Sequence, residues 1–426
     1  MSTIYAVSSG APPAAIAVLR ISGPAALSAA ATLAGDLPAE RRATLRALRD
    51  PADGGVLDRA LLLVFRAPGT ATGEDLVELH LHGGRAVVAA VERALATLPG
   101  LAPAQPGEFT RRALTNGRID LTEAEGLGDL LAAETESQRR AAMMAAEGGI
   151  RRRVEQWSAR LLALSARIEA ELDFSDEDDV DAVQLENLKA EAGILASEIA
   201  ALGEQPSVER LRDGVRVVLA GPPNSGKSTL LNALVDRDAA IVSPIAGTTR
   251  DRIDVPVQRD GIAYLITDTA GLASESDDPI ERIGIDRARA AMATSDILLW
   301  LGAEAAPAGA LWVYARADQP ERRDPPRGID LAVSATTGLG MSALWQAIGE
   351  RARAALPRLD DIALNRRQRD LVGEAAAVLR TVGDESDPLL VAEQLRLALA
   401  VVDRITGHSD TEAMLDALFG KFCIGK

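Results

Sequence analysis

The period of hydrophobic and polar positions changes several times along the chain, and the changes divide it. Over residues 1–117, short apolar runs of β character (Ile16–Ile21, Ala60–Phe65, Leu76–His82) alternate with amphipathic stretches such as Ala86–Leu98, with Gly and Pro between them. That pattern predicts a compact α/β unit. From Leu121 the period becomes helical. Thr122 and Glu125 have the spacing of a capping box, and apolar residues recur at every third or fourth position to about Leu172, as one long helix or a broken pair. An acidic run, Asp173–Asp181, ends this stretch, and a further helix is expected over Leu185–Leu202.

At Val215–Ala220 comes a nearly continuous apolar run interrupted by Arg216, the profile of a parallel strand buried on both faces. Strand candidates Ala263–Thr267, Ile297–Leu301, Leu311–Tyr314 and Leu331–Val333 follow, separated by helical segments, and predict a doubly wound sheet over 213–356. Beyond Pro357 the helical period returns, with Leu389–Ile405 apolar along one face. Residues 357–426 are therefore expected to pack on the helices of 118–212. The fold class is multidomain α/β plus α, a doubly wound α/β domain being inserted into a helical one. No internal repeat interrupts this scheme.

Composition narrows the choices. A chain of 426 residues, 47% of them hydrophobic, accommodates two to four domains with buried cores. The opening MSTIYAVSSG lacks the charged-then-apolar profile of a signal peptide, and no apolar run approaches the ~18 residues of a membrane span, so a cytoplasmic protein is expected. A formal charge of −16 argues against coating nucleic acid non-specifically, while a structured RNA held on a local basic face stays open. The single cysteine, Cys423, allows no internal disulfide, and three histidines beside it make structural zinc unexpected. Lysine is scarce: Lys189, Lys227, Lys421 and Lys426 are all there are, and arginine does the remaining cationic work.

Against that background Lys227 stands out. Gly221-Pro-Pro-Asn-Ser-Gly226-Lys227-Ser228 matches G-x-x-x-x-G-K-[ST] in full, after a predicted strand and opening a predicted helix, Ser228–Leu234. In such a loop the backbone amides of Asn224, Ser225, Gly226, Lys227, Ser228 and Thr229 wrap phosphate oxygens. Lys227 supplies a point charge to the β- and γ-phosphates, and the Ser228 hydroxyl completes magnesium coordination. Asp268-Thr269-Ala270-Gly271 follows the strand Ala263–Thr267, which puts Asp268 at a carboxyl end, where open α/β sheets bind ligands. Asp268 is expected to hold magnesium through water. The Gly271 amide is expected to sense the γ-phosphate, and Thr249 in Gly247-Thr-Thr-Arg-Asp251 to cap the metal.

Guanine selection in such sites relies on an N-K-x-D tetrapeptide, whose Asp carboxylate accepts from two guanine donors. Here the matching segment reads Ala315-Arg316-Ala317-Asp318: the Asp is present, and the Asn side chain that braces the base and the loops is missing. Ser334-Ala335 offers a backbone amide to the guanine oxygen. GTP is the expected nucleotide, with lowered affinity or specificity. The glutamine that often follows the D-x-x-G glycine is replaced by Leu272, which can neither donate nor accept, so the attacking water must be oriented from elsewhere. Asn224, through a monovalent cation, and Glu281 are the two candidates.

These residues, together with Ile16–Gly23, Thr72–Glu78, His82-Gly83-Gly84, Pro106–Arg112, Asp120–Glu125, Glu281-Arg-Ile-Gly284 and the terminal Phe422-Cys-Ile-Gly-Lys426, resemble the MnmE (TrmE) family of tRNA-modification GTPases over nearly the full length. The resemblance implies an N-terminal domain, 1–117, that dimerises and binds 5-formyltetrahydrofolate or a related folate, with Arg20, Glu78, Arg118 and Lys426 at the folate-contacting positions. It implies a GTPase activated by potassium and by dimerisation of the nucleotide domains. Asn224, Ser243, Ile245 and Thr248 fall at the potassium ligands, and nucleotide contacts run through Ser243, Pro244, Ile245, Ala246, Gly247, Thr248 and Thr249. Glu281 matches the general base, acting through a bridging water. It also implies a flavoprotein partner of the MnmG type, carrying FAD. Together the two proteins install an aminomethyl or carboxymethylaminomethyl group on carbon 5 of the wobble uridine of certain tRNAs. Cys423 matches a cysteine considered for catalysis, though a lone thiol near a chain end is more often a small packed side chain. The stretch Gly302–Leu311 is shorter than the family pattern. Two other readings remain: a regulatory or assembly GTPase without modification chemistry, which leaves the N-terminal domain and terminal motif unexplained, and a degenerate nucleotide-binding scaffold, against which Lys227, Asp268 and Glu281 argue.

Overall fold

A computed structural model describes residues 2–173, 182–236, 254–269, 289–322, 324–358, 361–407, 415, 418–420, 422, 424 and 425. The chain forms two compact units, residues 1–128 with 403–426, and residues 129–402.

The first unit is built on a six-stranded sheet, β1 (Thr3–Val7), β2 (Ile16–Ser22), β3 (Thr44–Arg49), β4 (Val56–Phe65), β5 (Leu76–His82) and β6 (Leu101–Pro103), in the order β3-β4-β5-β2-β1-β6. Its strand pairs are antiparallel except β1 with β6. Alternation decides its faces. Ala17, Leu19 and Ile21 of β2 and Val77, Leu79 and Leu81 of β5 are buried in one cluster with α1 (Ala26–Ala34) and α2 (Arg85–Ala96). Each leucine so covered contributes about 1.5–3 kcal/mol. The intervening positions, Arg20, Glu78 and His80, carry polar side chains on the other face. Three strands escape the hydrophobic pattern. β1 is buried at four consecutive residues and so shows no alternation, β3 is an edge strand rich in arginine, and β6 has three residues.

Helix α3 (Glu108–Thr115) and α4 (Leu121–Ala132) follow. The capping box at the start of α4 is formed by Asp120 and Glu123, not by Thr122 and Glu125. The Glu123 amide donates to Asp120 Oδ1 at 2.8 Å, and the Asp120 amide to Glu123 Oε2 at 2.8 Å. The helix starts earlier than the Thr122 spacing implies, because a carboxylate is the stronger acceptor for its first amides. Thr122 instead donates to the same carboxylate. Phe419 and Phe422 pack with Ala124 in this unit, beside Leu114, Ile119 and Leu127.

In the second unit, the stretch expected as one helix or a pair continues as two more helices, α5 (Glu136–Ala146) and α6 (Gly149–Asp173). Thr135 and Gln138 form a second capping box that restarts the chain after α4, and Gly148, at φ +78°, separates α5 from α6. Next come α7 (Ala182–Gly203) and α8 (Val208–Asp213). After the second sheet, described next, lie α10 (Met341–Ala355), α11 (Arg366–Asp384) and α12 (Pro388–Ile405). α11 packs along α7, as expected of the segment beyond Pro357.

The second sheet comprises β7 (Val215–Ala220), β8 (Asp254–Arg259), β9 (Ile262–Asp268), β10 (Ile297–Trp300), β11 (Leu311–Ala315) and β12 (Leu331–Val333), in the order β12-β11-β10-β7-β9-β8. All pairs are parallel except β8 with β9. Helix α9 (Lys227–Asp236) follows β7. Since β7 is flanked by β9 on one side and β10 on the other, successive connections diverge from its carboxyl end, the topological switch point at which such sheets bind ligands. Among the described residues, no helix is long and apolar enough to cross a membrane.

Candidate functional site

The loop at that switch point is shaped by its backbone. Gly221 sits at φ +149°, and a Cβ there would lie 3.1 Å from the Leu301 carbonyl carbon and 3.3 Å from the Gly302 nitrogen, so glycine lets the chain turn against β10. Asn224 takes a left-handed φ of +60°, which asparagine adopts more readily than most residues, and lies exposed. The Ser225 amide donates to the Pro222 carbonyl at 3.3 Å, closing the turn, and α9 then opens at Lys227.

Lys227 is buried. Its Nζ donates to the carbonyl oxygens of Gly221 and Pro222, both at 2.8 Å, which commits two of its three donors and leaves one for a further acceptor. Burial pushes its pKa below the ordinary lysine value, and the Asp268 carboxylate pulls it back up. Ser228 Oγ donates to Asp268 Oδ2 at 2.5 Å. This is a hydroxyl and a carboxylate brought together from the first turn of α9 and the end of β9. Such a set fits magnesium, which takes one or two protein oxygens and completes its shell with water and phosphate oxygens. Thr269 Oγ1 donates to the Leu219 carbonyl at 2.7 Å and ties the end of β9 to β7.

The segments expected to recognise the base lie at the carboxyl ends of β11 and β12, on the same edge. The Ala317 amide donates to the Val333 carbonyl at 3.0 Å, and Asp318 is exposed beyond it. Ser334 is fully buried. Its amide is taken by the Leu339 carbonyl at 2.9 Å and its hydroxyl accepts from the Thr337 amide at 3.1 Å, so the backbone amide expected from Ser334-Ala335 would be that of Ala335. Arg316, which sequence reasoning leaves without a role, sits against Gly226 of the phosphate loop. Its signal in the sequence is its place inside Ala315–Asp318, where a lysine is usual.

The structure therefore brings Asn224, Ser225, Gly226, Lys227, Ser228, Thr229, Asp268 and Thr269 to one sheet edge, with Asp318, Ser334 and Ala335 further along it. Ser243, Pro244, Ile245, Ala246, Gly247, Thr248, Thr249, Ala270, Gly271 and Glu281 lie outside the described residues, as do Cys423 and Lys426.

In the first unit, Arg20 and Glu78 face each other across β2 and β5, and Arg20 Nε donates to Glu78 Oε1 at 2.8 Å. His80 Nε2 lies 3.3 Å from the other oxygen of Glu78. Arg118 is set apart from this pair in its bonding. Its Nε donates to the Thr70 carbonyl at 3.1 Å, at the entrance of the loop that Asn116 holds through the Thr72 carbonyl at 2.7 Å. Arg112 completes the support of that loop, donating to Glu74 Oε2 at 3.0 Å and Glu108 Oε1 at 3.0 Å.

Residues 3–118 match the family model described as the GTP-binding protein TrmE N-terminus, and residues 121–423 that of the MnmE helical domain. The chain is 58% identical over 430 residues to the tRNA modification GTPase MnmE of Rhizorhabdus wittichii, covering 100% of this chain and 96% of that one. It is 56% identical to the protein of the same name from Erythrobacter litoralis, over 100% of both chains. Among solved structures it is similar to the G domain of the T. maritima FeoB iron transporter, at 22% identity and a TM-score of 0.23, over 32% of this chain and 98% of that one.

Proposed function

Since the chain belongs to the MnmE family of tRNA modification GTPases, we propose that it is a potassium-activated, dimerisation-dependent GTPase that acts with a flavoprotein on carbon 5 of the wobble uridine of certain tRNAs. GTP hydrolysis in the service of tRNA modification follows from the family itself. The observation that carries the finer reading is the convergence of Lys227, Ser228 and Asp268 at the end of β7 and β9.

Ser228 and Asp268 would hold magnesium, which when bound supplies positive charge to the β- and γ-phosphate oxygens. Lys227, already aimed into the loop by two carbonyls, adds a point charge to the same oxygens. The amides from Asn224 to Thr229 bind phosphate, while Thr249 and Gly271 follow the γ-phosphate and its loss. In this reading Asn224, Ser243, Ile245 and Thr248 surround potassium, whose charge replaces an arginine finger, and Glu281 orients the attacking water in the place left by Leu272. Asp318 and the Ala335 amide read guanine.

We assign the N-terminal domain, 1–117, to dimerisation and to a folate of the 5-formyltetrahydrofolate type, held by Arg20, Glu78, Arg118 and Lys426. The nucleotide domain, 213–356, is inserted between helical segments 118–212 and 357–426. An MnmG-type partner supplies FAD, tRNA is the macromolecular substrate, and the complex works in the cytoplasm. The test is mass spectrometry of tRNA nucleosides from a strain lacking the protein. The expected result is loss of the aminomethyl-type group from the wobble uridine, and an unchanged wobble uridine overturns the reading.

A further inference from the structure

Arg112 of α3 and Glu74 of the loop between β4 and β5 form an ion pair at 3.0 Å, with side chains only 10% and 12% exposed. The guanidinium also donates to Glu108 Oε1 at 3.0 Å, while Ser22 Oγ, buried on β2, donates to Glu74 Oε2 at 3.0 Å. Ser22 and the buried Thr72 share a hydrogen between their hydroxyls at 2.7 Å. A buried ion pair of this kind adds little net stability over apolar packing, because desolvating the two charges offsets their attraction. What it fixes is geometry, here that of the residue between Thr72 and Glu74.

That residue, Gly73, sits at φ +80°, a left-handed conformation that favours glycine. A Cβ there would lie 2.8 Å from Asn116 Cβ, 3.2 Å from Arg118 Cγ and 3.5 Å from Arg118 Cδ, so the loop backbone lies directly against the Arg118 stem. Arg118 Nε donates to the Thr70 carbonyl at 3.1 Å and Asn116 Nδ2 to the Thr72 carbonyl at 2.7 Å. The Thr70 hydroxyl donates to the Glu74 carbonyl at 2.6 Å and closes the loop on itself. Arg118 is exposed, yet its stem and its Nε are both engaged by residues 70–73.

We infer that Arg112 and Glu74 are positioning residues for Arg118: by clamping residues 70–74 they hold its guanidinium in one orientation toward the folate, without touching the ligand themselves. The inference rests on the folate reading above. A long exposed side chain gives up rotamer freedom when it binds, and a stem already seated against Gly73 has less left to lose. Because the clamp acts only through Arg118, breaking it should weaken folate binding in the wild type and change little once the Arg118 side chain is gone.

The test is equilibrium binding of 5-formyltetrahydrofolate, with thermal unfolding of the same samples. It compares the full chain, Glu74→Gln, Gly73→Ala and Arg118→Ala, and the first two substitutions each combined with Arg118→Ala. Arg118→Ala is expected to lose about tenfold in affinity. Gly73→Ala, which pushes the stem aside, should lose about as much, and Glu74→Gln, which keeps an oxygen for Ser22 but removes the charge that holds Arg112, about fivefold. In the Arg118→Ala background each should cost less than about twofold, a non-additivity that marks action through one side chain. The drop in melting temperature from Glu74→Gln, by contrast, should be the same in both backgrounds. If Gly73→Ala does not fold, the Glu74→Gln cycle decides alone. Affinity losses that add in the double variants, or wild-type affinity in the single clamp variants, overturn the inference and leave the folate site standing. A wild-type chain that does not bind the folate overturns both.

Discussion

Ser228 Oγ and Asp268 Oδ2 meet at 2.5 Å because β7 and β9 are neighbours in register, with Leu219 opposite Asp268. The hydroxyl comes from the first turn of the helix after β7 and the carboxylate from the end of β9, so sheet pairing, not sequence proximity, builds the position proposed for the divalent metal. Asp268→Asn preserves an acceptor for Ser228 but removes the charge. GTP turnover should fall about 100-fold or more, and the magnesium concentration needed for half-activity should rise. Steady-state hydrolysis across a magnesium titration reads both, and a variant with unaltered turnover and magnesium dependence would remove Asp268 from the metal.

Asn224 offers a clean test of the monovalent cation. Its left-handed backbone would penalise alanine by about 1 kcal/mol, but glycine takes that conformation freely, so Asn224→Gly isolates the side chain. Hydrolysis by the wild type should rise when sodium is exchanged for potassium, and the variant should lose the difference while retaining guanine nucleotide. Glu281→Ala should likewise bind GTP and fail to turn it over. Equal rates in the two salts for the wild type would dismiss the potassium assignment.

What the sequence discloses of this fold follows the strength of each local signal. Leu76–His82 and Leu331–Val333 appear in the structure at their expected bounds because apolar runs there end at Gly or polar punctuation. β8 does not advertise itself, since Pro256 interrupts it and its side chains are mostly half-exposed. Its signal is the turn, Asp260-Gly261, both at positive φ, which is the two-residue hairpin connection. The start of α4 shows the reverse case, where two capping boxes overlap in Asp120–Glu125 and the carboxylate at Asp120 takes the helix amides. At the site, the phosphate loop is legible because its chemistry is local. The place of Arg316 against Gly226 is not, because it depends on β11 and β7 delivering two loops to one edge.

Arg20 and Glu78 make a second testable pair. Both side chains are less than one-third exposed, at 28% and 17%, and among the described residues Arg20→Ala would leave Glu78 with His80 as its side-chain partner. The expected cost is about 1 kcal/mol of stability, together with loss of 5-formyltetrahydrofolate binding. Thermal unfolding and folate titration on the same preparations separate the two effects. Retained folate affinity in Arg20→Ala would take the pair out of the folate site.

Alkaline pH should expose a property of the nucleotide-domain core. Tyr264 lies on β9, buried, with its ring edge-on to Trp345 at 5.5 Å, and burial pushes its phenol from the ordinary 10.0 to about 12. Between those values the unfolded chain gives up this proton and the folded chain keeps it, so stability is intact below pH 10 and falls as pH rises toward 12. Tyr5, whose pKa is also raised by burial, adds to the effect, but Tyr264→Phe subtracts only the one phenol. Urea unfolding of wild type and Tyr264→Phe on both sides of pH 10 should give a constant difference in the lower range. In the upper range that difference should shift in favour of phenylalanine by at most about 3 kcal/mol. Parallel stability curves across the whole range would mean that the Tyr264 phenol titrates in the folded chain as it does in the unfolded one.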